Sequence, residues 1–281
     1  MPWNSCPLLP HGVVHYELQV AGHSVSGSPT GPMLKHPTLP IIYKWLQGNS
    51  RGLREVKFYE TVYNHDATEA FRSIRPFVPR FYGVYRCPVS HDYYLGLSDN
   101  MGMFEHPNVC DIKLGTIGYR PEANMDKRLR EESKFAWRKD LGFMLCGMQI
   151  YDSVTNSYHK LDKHYCRSIT PEEIFKKALL TFLGTNVPHR IELARAYAAK
   201  LFDLLRWFEQ HGSQSMTFCR TSLLLGHESC SPAVTLCLID FTDWAVKTAP
   251  TDDECELTSG FAHGLNVLLS LMRRVISISD E

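Results

Sequence analysis

Two side chains of opposite charge stand two residues apart in the run Pro107-Asn-Val-Cys-Asp111-Ile-Lys113-Leu-Gly115. An extended chain repeats its side-chain direction every second residue, so Asp111 and Lys113 share a face with Val109, while Ile112 packs on the other side. Taking such a pair out of water is costly unless a charged ligand or a cation sits beside it. The spacing alone fits two arrangements: a pair facing a ligand and a solvated pair on an edge strand.

Lys44 and Glu55 make a second candidate pair. Lys44 stands alone in the apolar run Ile41-Ile-Tyr-Lys44-Trp-Leu46, where a lysine either snorkels to solvent or reaches an anion. The next segment favours the anion, because Val56, Tyr59 and Tyr63 recur at helical spacing and put Glu55 near a helix start. A strand lysine fixed by a helix carboxylate is the arrangement that holds nucleotide phosphates in kinase-like folds. Further on, Lys127, Arg130 and Lys134 fall at i, i+3 and i+7 in a segment without an apolar stripe, which fits a solvated helix or a row that holds phosphates. Asp240 closes the apolar run Val234 to Ile239, where the backbone leaves the core, a common station for a magnesium-binding carboxylate.

The elements that must position these groups are legible from pattern. Val13 to Val20, Ile41 to Leu46, Phe81 to Tyr85 and Tyr93 to Leu97 read as strands, and Ser98-Asp-Asn-Met-Gly102 breaks the last one in the manner of a hinge. The Gly/Ser/Pro loop from Gly22 to Pro32 carries no Gly-x-Gly-x-x-Gly, so a phosphate flap of the protein-kinase type is not encoded. Gly142 to Tyr151 reads as a long buried strand, with a turn at Ser153 to Asn156 leading to a partner around Tyr158 to Leu161. Thr170-Pro171-Glu-Glu173 is a capping box that starts a helix running to about Leu183. The spacing predicts a helix over Arg190 to His211 with Ile191, Ala194, Ala198, Leu201, Leu205 and Phe208 on its apolar face, ended by Gly212. Strands over Met216 to Leu225 and Val234 to Ile239 follow, and a helix over Gly260 to Ser277 closes the chain.

Composition limits what these elements can serve. The 281 residues suit one large unit or two lobes with small cores. Lysine plus arginine and aspartate plus glutamate number 30 each, which leaves no global basic field of the kind general nucleic-acid binders show, so no direct nucleic-acid binding is expected and any anion site must be local. A 44% hydrophobic share with 13 Tyr and 14 Phe speaks for a folded globular chain. The nine cysteines are odd in number and contain no Cys-x-x-Cys pair, which argues against a disulfide framework or a zinc ribbon and for a reducing compartment. No basic start with an apolar core opens the chain and no run reaches the length of a bilayer span, so a cytoplasmic or nuclear protein is expected.

Pro-x-x-x-Asp-x-Lys-x-Gly is complete over Pro107 to Gly115, and with it the chain resembles the inositol polyphosphate kinase family, most closely its multikinase branch. The likeness extends through Gln19-Val-Ala-Gly-His23, Lys44 with Leu46-Gln47, Arg51-Gly, Arg54-Glu55, Gly142-Phe143, His164-Tyr165, Arg167-Ser168, Ser222-Leu-Leu and Ile239-Asp-Phe241. The trisphosphate 3-kinases usually carry a long insertion after the signature and the hexakisphosphate kinases a different run, whereas Gly118-Tyr-Arg-Pro121 and Ala123 favour the multikinase branch. The resemblance implies an α+β, two-lobed fold related to protein kinases and ATP-grasp enzymes, with antiparallel sheets and flanking helices. It places an ATP-binding lobe over residues 1–97 and a larger lobe, with hinge, acceptor helix and metal site, over 98–281. It further implies transfer of the ATP γ-phosphate to inositol tris- and tetrakisphosphates, a phosphoinositide head group as a further acceptor, Mg2+ as cofactor, and action as a monomer. Two other readings stay open, a hexakisphosphate kinase or trisphosphate 3-kinase, and a catalytically weak scaffold that binds inositol phosphates.

By the same resemblance Lys44, held by Glu55, meets the ATP phosphates, Ser98 and Asn100 belong to the adenine hinge, and Asp111 takes the ribose hydroxyls. Lys113 sits on the transferring phosphate and the inositol side, and Asp240 binds magnesium with Ser222 close by. Arg51, Lys127, Arg130, Lys134 and Lys163 face the inositol phosphates. The chain departs from the family at one point: the usual Ile-Asp-Phe-Ala-His reads Ile239-Asp-Phe-Thr242-Asp243. An acid there is expected to repel or re-aim the acceptor, unless it turns away or joins the metal.

Overall fold

The computed structural model describes residues 3, 5–20, 31–48, 50–247 and 252–278. Three short strands open the fold, β1 (Val14–His15), β2 (Leu34–Lys35) and β3 (Ile41–Trp45), followed by the helices α1 (Ser50–Tyr63) and α2 (Glu69–Ser73). Strands β4 (Phe81–Arg86) and β5 (Tyr93–Ser98) complete a sheet of order β1-β2-β3-β5-β4. The chain then enters β6 (Asn108–Leu114), α3 (Met125–Glu132), α4 (Arg138–Leu141), β7 (Phe143–Asp152), β8 (Ser157–Leu161) and α5 (Lys163–Ser168). A helical stretch follows, made of α6 (Pro171–Glu173), a π-helical segment (Ile174–Leu179) and α7 (Leu180–Phe182), and then the long α8 (Val187–Trp207). Past α9 (Ser213–Ser215) come β9 (Met216–Phe218), β10 (Ser222–His227), β11 (Val234–Ile239), β12 (Trp244–Val246) and the closing helix α10 (Asp252–Ile278). The second sheet has the order β11-β10-β6-β7-β8, and β12 pairs with β9 in a separate ribbon. All these pairings are antiparallel, giving the expected α+β class with antiparallel sheets and flanking helices.

Local chemistry explains the helix starts. Asn124 accepts the Lys127 amide at 3.0 Å to open α3, and Asp162 accepts the amides of His164 and Tyr165 at 2.9 Å to open α5. The capping box is complete at α6, where Thr170 Oγ1 accepts the Glu173 amide and Glu173 reaches back to the Thr170 amide.

Four expectations change. The strand over 13–20 shrinks to two residues, because Tyr16 buries its ring and donates its hydroxyl to Asp99 at 2.9 Å, which pulls the chain out of the sheet. The long helix begins at Val187, and its buried face holds Leu193, Tyr197 and Leu204, while Ile191 and Ala198 stay half-buried. Nor does Gly212 end it; a π-helical turn over Phe208–Gly212 carries the chain on into α9. The strand expected over 216–225 breaks at Cys219 to Thr221, where Arg220 takes a left-handed backbone (φ 62°), so β9 and β10 join different sheets. The closing helix starts at Asp252, before the expected Gly260. Of the matched run Gln19 to His23, the last three residues lie outside the described ones, as does most of the 22–32 loop.

The apolar core runs without interruption from α1 (Val56, Phe58, Tyr59, Val62) into the second sheet and α10. Phe58 stacks on Phe241 with ring centroids 3.6 Å apart, Trp244 meets Phe58 edge-on at 5.2 Å, and the Trp244 indole donates to the Arg54 carbonyl at 2.8 Å. Burial of three aromatic rings fixes α1 against the segment after β11.

One polar network crosses this core. Asn108 Oδ1 accepts the Tyr151 amide at 2.7 Å, so its NH2 group faces His227 Nε2 at 3.2 Å, and that nitrogen must accept. His227 Nδ1 then carries the proton, 3.0 Å from the Tyr197 hydroxyl. Burial, with His189 nearby, pushes the imidazole down to about 3. The unfolded chain takes up a second ring proton near the usual value of about 6.5, so the contribution to stability is complete above that pH and is lost as pH falls towards the folded value. Urea denaturation of wild type and His227→Gln from about pH 7 to about pH 4 should show a shallower decline in the variant. Parallel curves would remove His227 from the acid response.

Candidate active site

Strand register assembles the site. In the second sheet Lys113 lies opposite Ser222, and Ser222 lies opposite Ile239. Asp240, one residue past β11, and Arg220, two residues before β10, therefore emerge at the same edge as Lys113. An irregularity in the β6–β7 pairing between Asp111 and Ile112 leaves Cys146 as the extra residue on β7, and its Sγ lies 4.0 Å from Lys113 Nζ. The alternation along β6 is kept, so Asp111 and Lys113 both line the cleft between the two sheets, as their spacing predicts. From the first sheet come Lys44 on β3 and Glu55 on α1, and the strap through Tyr16, Leu18 and Val20 walls the opening.

Lys44 Nζ donates to Glu55 Oε1 at 2.7 Å and contacts Asp240 Oδ1, bridging the two sheets. Burial disfavours its ammonium, but Asp240 and Glu55 outweigh this and hold the proton more tightly than usual. Burial also opposes ionisation of Asp240, yet the Lys44 and Lys113 ammonium groups and the Arg51 guanidinium bring its carboxyl down to about 2. Asp240 adopts a left-handed backbone (φ 64°), a conformation that costs free energy in a non-glycine residue and gathers at functional sites. Asp111 is different: burial raises its carboxyl above the usual range, with Lys113 pulling against it. The Ser222 hydroxyl lies beside that carboxyl and helps to hold it down, and neither Asp111 Oδ1 nor the Ser222 oxygen meets a further polar group of the protein, a pair whose bonding a ligand can complete.

At the end of β5, Ser98 donates its hydroxyl to Asn100 Oδ1 at 2.9 Å, and both residues line the cleft. Between them Asp99 is buried, accepting from the Tyr16 hydroxyl and pairing with Lys35 at 3.1 Å. Arg51 lines the cleft as well, starting α1 beside Gly52, where a Cβ would stand 2.3 Å from the Gln47 carbonyl.

The row of cations is not assembled as its spacing suggests. Helix α3 ends at Glu132, so Lys134 lies past it and folds back onto Glu131 at 2.6 Å. Lys127, Arg130, Lys134 and Lys163 are not among the described residues that line the cleft. Burial lowers the pKa of the Lys134 ammonium, against the pull of Glu131, and Arg220 and Arg167 add to the effect. Ser222 lies fully buried within the sheet.

One residue goes unrecognised in the sequence. Arg220 lines the cleft, and the polar Cys-Arg-Thr interruption of an apolar run is the one trace of its backbone break. Of the outcomes left open for Asp243, the structure shows it turned away: its carboxylate points into the protein, 3.7 Å from Arg51, 3.4 Å from Arg54 and 3.9 Å from Arg220, with the Thr242 hydroxyl donating to it at 3.3 Å.

A profile of the inositol polyphosphate kinase family matches residues 94–273. The human inositol polyphosphate multikinase is 33% identical over 234 residues, 83% of this chain and 55% of that protein. Inositol polyphosphate multikinase beta of Arabidopsis thaliana is 26% identical over 232 residues, 76% of each chain. The chain thus spans about half the length of the mammalian relatives it matches. In three dimensions it superposes on the inositol phosphate multikinase Ipk2 of S. cerevisiae, solved in complex with ADP and Mn2+, with a TM-score of 0.65 and 22% identity over 83% of this chain and 98% of that one. The fold is therefore shared with that enzyme. With the signature Pro107 to Gly115 intact along and around β6 and the profile matching more than half of the chain, the chain belongs to the inositol polyphosphate kinase family.

Proposed function

We propose that this protein is an ATP-dependent inositol phosphate kinase that transfers the γ-phosphate of ATP to hydroxyls of inositol tris- and tetrakisphosphates, in the manner of the multikinases it resembles. The observation that carries this reading is the Lys44 ammonium held between Glu55 and Asp240, with Lys113 and the buried Asp111 on the facing strand. The same reading takes in a phosphoinositide head group as a further acceptor, a monomer as the working unit and the cytoplasm or nucleus as its place.

Phosphoryl transfer asks a protein mainly for positioning and for neutralisation of charge spread over the transferring group. Lys44, kept charged by its two carboxylates, would bind the nucleotide phosphates. Asp111 would accept from the ribose hydroxyls, and the backbone around Ser98 and Asn100 would meet adenine. Lys113 and Arg51 would stand on the acceptor side, with Lys127, Arg130, Lys134 and Lys163 as outer contacts for acceptor phosphates. No side chain needs to act as a strong base, since a loose transition state removes the acceptor proton late.

A nucleotide-bound divalent ion takes one or two carboxylates and fills its sphere with phosphate oxygens and water. The cleft fits that demand: Asp240 lines it and is ionised, and among the described residues no three acid, histidine or cysteine side chains form a closed cage, while Ser222, expected beside the metal, lies buried in the sheet and not on the cleft wall. Asp240 would hold Mg2+, which when bound supplies neutralisation of the nucleotide phosphates. The ADP and Mn2+ of the yeast relative support this choice.

Radiolabelled ATP with a panel of inositol phosphates tests the reading, and a chain that binds them without turnover would be a scaffold. Lys113→Ala and Asp240→Asn should each abolish turnover with an unchanged circular dichroism spectrum, because both act on the transferring group. Near-normal turnover in either variant removes that residue from its role. Neutralising Lys127 together with Arg130 should raise KM for the inositol phosphate, leave KM for ATP nearly unchanged, and matter less in high salt, since exposed charges are screened over about 8 Å at physiological ionic strength. Equal changes in both KM values would take this pair off the acceptor.

A further inference from the structure

Three guanidinium groups converge on one carboxylate behind the wall of the cleft. Asp243, with its side chain 6% exposed, has Arg54 at 3.4 Å, Arg51 at 3.7 Å and Arg220 at 3.9 Å. The arginines come from separate places: Arg51 and Arg54 from the first turns of α1, and Arg220 from the left-handed break between β9 and β10. Arg54 is committed inward, donating Nε to the Thr242 carbonyl at 2.7 Å and one terminal nitrogen to the Ser50 hydroxyl at 3.2 Å. Arg51 and Arg220 instead line the cleft, and Arg51 also donates to Thr242 Oγ1 at 3.0 Å.

Like charges this close repel unless an anion stands between them, and a long side chain loses rotamer freedom when it is fixed on a ligand. A buried carboxylate that holds two arginine forks from behind offsets the repulsion and orders the forks before the ligand arrives. Histidine, the family's usual residue here, offers one donor and one acceptor when neutral and adds a further cation when protonated, so it cannot hold three guanidinium groups.

We propose that Asp243 is a positioning residue for the acceptor: it aims the Arg51 and Arg220 forks at the phosphates of the inositol ring and so sets how tightly this chain holds its acceptor, without touching it. This rests on the kinase reading above. The role is opposite in sign to simple repulsion, which would have the carboxylate weaken polyphosphate binding.

Titration calorimetry on the full chain separates the two, with an inositol trisphosphate and ATP as separate probes and circular dichroism as the check on folding. Asp243→Asn keeps the shape and removes the charge. It should weaken trisphosphate binding about tenfold, the scale of one lost charge-assisted contact, and change ATP binding by less than about twofold. Asp243→Glu should recover part of the loss. Arg220→Lys keeps the cation but not the fork and should show the same selective loss, which preserves the test if Asp243→Asn does not fold. Combining the two substitutions should cost little more than either alone. Unchanged or tighter trisphosphate binding by Asp243→Asn, equal losses for both ligands, or losses that multiply in the double variant would each overturn the proposal. If the wild-type chain binds ATP but no inositol phosphate, the kinase reading fails and the proposal fails with it.

Discussion

Lys44 carries one positive charge between two carboxylates that the chain brings from opposite ends, Glu55 eleven residues on and Asp240 close to the last helix. An ammonium removed from water costs several kcal/mol unless its partners repay the desolvation, and removing one partner leaves the rest exposed to that cost. The ion triad therefore works in two directions. It keeps the Lys44 head charged inside the cleft, and it fixes the first sheet to the end of β11 through a contact that is correct in only one arrangement. The left-handed backbone at Asp240 serves the same end, because it swings the carboxylate out of β11 towards Lys44 and not along the strand.

Packing holds the triad in register. Phe241 follows Asp240 directly and stacks on Phe58, one turn of α1 beyond Glu55, while Trp244 closes the same block and bonds the Arg54 carbonyl. A shift of α1 along its axis would disturb the aromatic block and the Lys44–Glu55 contact together. The polar side of that helix start continues the theme, since Arg51 and Arg54 reach the Thr242–Asp243 turn that follows the same phenylalanine. The four residues after β11, Asp240 to Asp243, thus set a cleft carboxylate, a core ring and an arginine anchor.

What could be read in advance was local. Period-two alternation put Asp111 and Lys113 on one face, a single lysine marked β3, and helical spacing placed Glu55, all because these signals depend on neighbours within a few residues. The antiparallel α+β class and the capping box at Thr170 followed from equally short-range chemistry. What escaped depended on distant partners. Tyr16 leaves its strand for Asp99, 83 residues away, and β9 parts from β10 because β12 offers it an edge. The long helix presents Leu193, Tyr197 and Leu204 inward because Tyr197 completes the His227 network, a reason absent from hydrophobic spacing. Lys134 looked like the third of a row until the helix stopped at Glu132, and Asp243 looked like a charge facing ligand until three arginines were gathered from two segments around it.

The charge balance of the cleft bears on the proposed reaction. Across the whole chain acids and bases cancel at 30 each, and the described cleft nearly cancels too, with Lys44, Arg51, Lys113 and Arg220 set against Glu55, Asp111 and Asp240, and Asp243 just behind. Strong cations are therefore present but already engaged, so a polyphosphate has to compete with carboxylates for them. That competition favours ligands whose phosphates can take over several contacts at once, and under the proposed reaction a divalent cation arriving with the nucleotide would be the natural partner of Asp240, because added positive charge on that carboxylate would free Lys44 for phosphate. Asp243 does not line the cleft, so its contacts with Arg51 and Arg220 are ones that the proposed acceptor does not have to displace.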